Sequence, residues 1–182
     1  MNAIVDVTNI RIETERLILR AWKDSDLDDL YTYASVPGVG ECAGWAHHES
    51  VEESKRILAM FMNHKKVFAL ELKENGKVIG SLGLEELHPD PIGEGAYGRE
   101  IGYVLSKEYW GRGLMPEAVR GVIKYCFHVL NFDFMTCAHF IQNDRSRRVI
   151  EKVGFQFFGE TDYKSERGVM ERSRNYILYN KR

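Results

Sequence analysis

The sequence predicts an α+β fold: a mixed, mostly antiparallel sheet of about seven strands, with helices packed on both faces. Three observations carry this reading. Short strand-like runs and runs of 3–4 apolar spacing occur in the order β-α-α-β-β-β-α-β-α-β-β. Asn75-Gly76 lies between two apolar runs, 67–72 and 78–84, as a hairpin turn does. The strongest amphipathic helix, around 114–130, separates two strand-like runs, so those two strands pair in parallel through a crossover.

The elements follow in chain order. Arg16–Arg20 (RLILR) reads as a strand, and Asp24 as the cap of a short helix with Leu27, Leu30, Tyr31 and Ala34 on one face. Residues 35–48 hold three glycines, a proline and a tryptophan, and read as a loop. Ser50-Val-Glu-Glu53 is a capping box before a helix whose apolar face carries Ile57, Leu58, Phe61 and Met62. The Asn75-Gly76 hairpin is expected to turn as type I′. After a loop at 88–98 comes a strand at 99–105, with Gly102 inside it as a candidate bulge. Leu114, Met115, Ala118, Val119, Val122, Ile123, Cys126, Val129 and Leu130 form the apolar stripe of the long helix. A strand at 134–140, a helix at 144–152 stopped by Gly154, and two strands near 155–163 and 169–179 complete the chain.

Composition narrows the function classes. The chain has 182 residues, a length for one domain, with 44% hydrophobic and 29% charged residues. A formal charge of −2, with no basic run interleaved with aromatics, argues against nucleic acid as a partner. The longest uncharged stretch, 30–40, contains Pro37 and is too short to cross a bilayer. The N-terminus has no long apolar segment of the signal-peptide kind. Three cysteines without paired spacing point to a reducing cytoplasm, and the histidines, His47-His48 included, stand at no metal-ligand spacing. No metal is expected.

Chemistry enters at a strand, a turn and a helix start, in the run REIGYVL-SKEYWGRGLM-PEAVRGVIKYC. Gly111 and Gly113 open a helix whose free amides and dipole suit a phosphate, Arg112 adds a cation, and Pro116 sits where a missing N–H costs nothing. Gly113 is followed by Leu114, which excludes the Gly-Lys-Ser/Thr phosphate loop. Pro116 stands where the dinucleotide motif needs its third glycine.

Taken together, this run resembles the GNAT acyl-CoA N-acyltransferases, whose Arg/Gln-x-x-Gly-x-Gly/Ala turn binds coenzyme A. Trp110 and Met115 depart from that pattern, and both departures resemble the ribosomal-protein N-terminal alanine acetyltransferase (RimJ/RimL-like) branch. There Tyr-Trp-Gly-x-Gly followed by Glu-Ala is common, as in Glu117-Ala118 here. Thr14–Arg20, Glu100–Leu105, Asn143-x-x-Ser146-x-Arg148 and Glu151-Lys-Val-Gly-Phe155 resemble other segments of that branch, so the likeness runs over about 10–180.

The resemblance implies a single GNAT domain over 1–182, with its sheet splayed between the fourth and fifth strands, 99–105 and 134–140. It implies acetyl-CoA as co-substrate and brings the expectation of a homodimer. Backbone groups of Tyr103, Val104 and Leu105 would hold pantetheine, and amides of Gly111, Arg112, Gly113, Leu114 and Met115 the pyrophosphate. Asn143 and Ser146 would lie near the thiol end. Arg148 would reach the adenosine phosphates or stay solvated. Trp45 and His48, in the 35–48 loop, would line the acceptor pocket.

Acetyl transfer to an amine needs a base and a proton for the departing thiolate. Glu100 is the first choice of base and Glu85, which is also expected beside the acceptor, the reserve. Ser146 is the thiolate's proton donor or, alternatively, a helix cap. The best-matched acceptor is a protein N-terminal α-amine of the ribosomal-protein alanine type. Two alternatives are a small amine (an aminoglycoside, polyamine or amino-acid derivative) and a silent acyl-CoA sensor.

Overall fold

The computed structural model describes residues 1–88 and 90–181. Among them run β1 (Ile12–Glu13), β2 (Leu17–Arg20), α1 (Leu27–Ala34), α2 (Val51–His64), β3 (Val67–Leu72) and β4 (Val78–Glu85). There follow β5 (Gly98–Leu105), α3 (Leu114–His128), β6 (Phe134–Phe140), α4 (Asp144–Val153), β7 (Gln156–Lys164) and β8 (Met170–Tyr179). The expected order holds, with the two-residue β1 added, so the sheet has eight strands in the order β1-β2-β3-β4-β5-β6-β8-β7. Its neighbours are antiparallel except β5 and β6, joined in parallel by the α3 crossover. No described helix is long and apolar enough to cross a membrane.

Side-chain alternation along the strands divides the core in two. On one face, Leu30, Tyr33 and Ala34 of α1 and Leu58 of α2 pack with Trp22, Val67, Ala69 and Val78. On the other, Leu114, Ala118, Val122 and Cys126 of α3 and Ile150 of α4 cover Leu19, Phe68, Leu70, Leu82 and Ile101. Cys126 is a core residue of the stripe, as its spacing predicts.

Several local expectations are corrected. Gly76 lies in the left-handed region (φ 72°) but Asn75 does not, so the β3–β4 turn is not type I′. The Leu72 carbonyl accepts from the amides of both Asn75 and Gly76, which makes a longer loop that glycine closes. Asp24 caps nothing: residues 24–26 form a 3₁₀ turn, and Asp26 accepts from the Lys23 amide at 2.9 Å. The capping box is offset by one, with Ser50 Oγ accepting from the Glu53 amide while Glu53 accepts from the Glu49 amide. The register of β4 with β5 runs unbroken through Gly102, so no bulge forms there. The irregularity lies on the other side of β4: Ala69 and Glu71 of β3 face Ser81 and Val78, so β4 carries one extra residue. Gly80 sits in that stretch, where a Cβ would collide with the carbonyl oxygen of Val104. A second register break, at Phe157–Gly159, inserts Phe158 into the outer strand β7.

One buried ion cluster ties the α1 approach to the sheet. Arg20 holds both carboxylate oxygens of Asp26, at 2.8 and 2.9 Å, and its Nε donates to Glu71 at 2.5 Å. Arg20 is only 8% exposed. Replacing it by alanine leaves two carboxylates uncompensated, one of them (Asp26) fully buried. Urea unfolding of Arg20→Ala should therefore show a loss of about 3–5 kcal/mol.

Candidate active site

The site begins where a ladder stops. β5 pairs with β6 from Gly98–Phe134 to Ile101–Cys137 and no further. Beyond that point β5 stays on β4 as far as Leu105, and β6 stays on β8 as far as Phe140. The two strands splay, as the family resemblance led us to expect, here as β5 and β6. A cleft of about 810 Å³ opens in the gap. Residues 100–105 form one wall and Ala138, His139 and Phe140 the other, while the turn before α3 and the first turns of α4 close the end.

The turn is built for an anion. Gly111 and Gly113 both take positive φ (77° and 76°), a conformation that side chains other than glycine's resist. No described group accepts a hydrogen bond from the amides of residues 111–115. The first turn of α3 therefore presents free donors at the positive end of its dipole. Trp110 anchors the turn, its indole N–H donating to the Leu105 carbonyl at 2.8 Å. The cleft is lined by Tyr103, Val104, Leu105, Gly111, Gly113, Leu114, Met115, Asn143, Ser146 and Arg148, all expected at the cofactor. Arg112 is not among the lining residues; its guanidinium lies over the Tyr109 ring at 5.0 Å. Sequence reasoning missed Arg145 and Lys152, which line the cleft beside Arg148. Their spacing of three and four residues on α4 was the available signal. Arg145 stacks over Trp110 at 4.1 Å.

At the other end stand two carboxylates. Glu85 and Glu100 are directly opposite across β4 and β5, and both line the cleft. Glu85 is held by Lys66 at 2.5 Å. Burial raises the pKa of Glu100 to about 7. Hydrogen bonds from the His88 backbone and the Thr136 hydroxyl oppose that rise, and the neighbouring Glu85 charge adds to it. A carboxyl poised there exchanges protons readily near neutrality.

Ser146 is not the cap of α4. Asn143 is, its Oδ1 accepting from the Ser146 amide at 3.1 Å while its Nδ2 donates to the Cys42 carbonyl at 3.2 Å. The Ser146 hydroxyl pairs with the Tyr103 hydroxyl at 2.9 Å. Burial pushes the Tyr103 phenol well above its ordinary value, so this pair keeps its protons.

The 35–48 loop reaches the cleft through Val39, Cys42 and Ala43. Trp45 and His48, the residues expected there, lie outside the lining. His48 is buried, bonds Ser54 Oγ through Nδ1 at 2.7 Å, and packs on the Trp45 ring at 5.2 Å. Trp45 covers Gly40, where no Cβ would fit. Both hold the loop's shape. Among the described residues no His, Cys, Asp and Glu group could hold a metal.

Comparison with known proteins bears on the same residues. The signature of the acetyltransferase (GNAT) domain matches residues 16–156. Uncharacterized N-acetyltransferase p20 of Bacillus licheniformis is 30% identical over 162 residues, covering 85% of this chain and 88% of its own. YdaF of Bacillus subtilis (strain 168), named as a candidate ribosomal N-acetyltransferase, is 33% identical over 81 residues, 44% of this chain and 42% of its own. The crystal structure of a GNAT-family acetyltransferase from Bacillus anthracis superposes with a TM-score of 0.83 at 21% identity, covering 95% of this chain and all of that one.

The Glu100 environment has a measurable consequence for stability. The carboxyl titrates near 7 when folded and near 4.5 when free, so between those values the folded state holds the extra proton. Stability from this group is therefore intact below pH 4.5 and falls as pH rises to 7. Urea midpoints of wild type and Glu100→Gln should draw apart in favour of the variant between pH 5 and 8. Parallel curves would refute the raised pKa.

Proposed function

This chain belongs to the GNAT family of acetyl-CoA-dependent N-acetyltransferases, and from that premise we propose that its acceptor is a protein N-terminal α-amine. The observation that carries this reading is the Glu100 carboxyl at the cleft wall, poised at about 7. Freeing a neutral α-amine of pKa ~8 at pH 7 costs about 1.4 kcal/mol, against about 4.6 kcal/mol for a lysine of pKa ~10.4. A base near 7 is matched to the first and poorly matched to the second. The partial likeness to YdaF supports the same acceptor class.

In this reading Glu100 takes the ammonium proton. The amine nitrogen attacks the thioester carbonyl carbon, the C–S bond breaks, and the departing thiolate, hydrogen-bonded by the Ser146 hydroxyl that Tyr103 holds, takes up the proton that the attacking nitrogen sheds. Strand amides of 103–105 hold the pantetheine, and the turn at 111–115 holds the pyrophosphate. Glu85 beside Glu100 favours a second reading, in which a small polyamine is acetylated, because two carboxylates suit a second cation on the acceptor.

Thiol release from acetyl-CoA across N-terminal peptides, lysine-bearing peptides with blocked N-termini, and polyamines separates the readings. Turnover is expected with free N-termini; turnover confined to polyamines would overturn the assignment. With the active acceptor, kcat/KM should climb tenfold per pH unit below about 7. Glu100→Gln should lose the inflection near 7, leaving the rise set by the acceptor amine at about 8, and should lose roughly 10²–10⁴-fold in kcat. Full activity in Glu100→Gln would remove it as the base.

A further inference from the structure

The strongest polar cluster near the cleft does not line it. Glu117, in the first turn of α3, receives the Arg16 amide at 2.8 Å, the Arg16 Nε at 2.7 Å and the Thr14 hydroxyl at 2.6 Å. All these donors come from the turn between β1 and β2. Burial disfavours the Glu117 charge, yet the Thr14 and Arg16 bonds hold its pKa below the ordinary carboxylate value. The same guanidinium has a further partner: Arg16 Nη1 donates to the Arg112 carbonyl at 2.9 Å. Its Nη2 lies 3.6 Å from where a Cβ of Gly113 would stand.

We propose that Arg16 is a positioning residue for coenzyme A, acting through the Arg112–Gly113 peptide and through Glu117. In a trans peptide the C=O and N–H point in opposite directions. Holding the Arg112 carbonyl on the Arg16 side turns the Gly113 amide to the other side, where Gly113 lines the cleft. Gly113, free of a Cβ and at positive φ, lets this peptide plane turn more freely than another residue would, so an outside bond helps to set it. Arg16 also neutralises a carboxylate that sits one helical turn from the phosphate donors, where a bare negative charge would repel the ligand. Arginine is suited to both tasks at once, since its fork reaches a carbonyl and a carboxylate together. Lysine, a compact point charge, lacks that planar spread of donors.

This inference rests on the reading that the 111–115 turn holds the pyrophosphate, and the test separates the two. Calorimetric titrations with CoA and with pantetheine, which lacks the phosphates, are made on wild type, Arg16→Ala and Arg16→Lys. Wild type should bind CoA far more tightly than pantetheine. Arg16→Ala should weaken CoA about tenfold or more and leave pantetheine unchanged, and Arg16→Lys should recover part of the loss. Thermal melting of each variant establishes that it is folded. Equal losses for both ligands, or an unchanged CoA affinity, would overturn the positioning role. Equal affinity of wild type for CoA and pantetheine would instead overturn the pyrophosphate reading itself.

Discussion

The β5–β6 ladder ends after Ile101 and Cys137, and the rest of the site follows from that ending. A strand in the middle of a sheet has its backbone donors and acceptors consumed on both sides. From Gly102 onward, β5 keeps β4 on one side and faces a gap on the other. The exposed peptide edge must find partners, and the chain supplies one of them itself: the Trp110 indole takes the Leu105 carbonyl. What remains is an edge that another polar chain can join as a strand would. The departure of Trp110 from the general motif thus has a local physical reason. It closes the strand end and seats Arg145 on its ring.

The cleft offers an anion partners without a basic surface. The chain carries a formal charge of −2, yet one end of its cleft gathers unpaired amides of a helix start and three cations from α4. The opposite end carries two carboxylates. A cleft polarised in this way suits a ligand with a negative tail, whatever the sum over the whole molecule.

How much of this was legible in the sequence depended on the range of the interaction involved. The order of elements, the glycine turn that opens α3, the Gly154 stop of α4 and most of the apolar stripe of α3 follow from local chemistry and are legible in the sequence. Glu100 could be named from its strand, but its poise near 7 arises from burial and from Glu85, 15 positions away and on another strand. Where several residues competed for one local role, tertiary contacts decided. Asp24 caps no helix, Asp26 is drawn to Arg20 instead, and Asn143 displaced Ser146 at the cap of α4, its amide also reaching the Cys42 carbonyl. Gly102 resembled a bulge, whereas the extra residue belongs to β4 near Gly80, whose signal was only one more glycine in a strand. Arg16 was visible only as part of a matching segment. Its partners lie about 100 residues away, a separation no spacing rule spans.

The break in β7 bears on solubility. β7 is the last strand of the sheet, nine residues long, with Phe157 and Phe158 exposed. A straight, apolar outer strand is a template for adding further chains and hence for aggregation. Here the inserted Phe158 disrupts the regular spacing of outward amides. Glu160, Asp162 and Lys164 follow it with charge at every second position. A second chain laid along this edge would meet a kink and then a row of charges. The irregularity that spoils the β7–β8 register is thus also an obstacle to extending this end of the sheet.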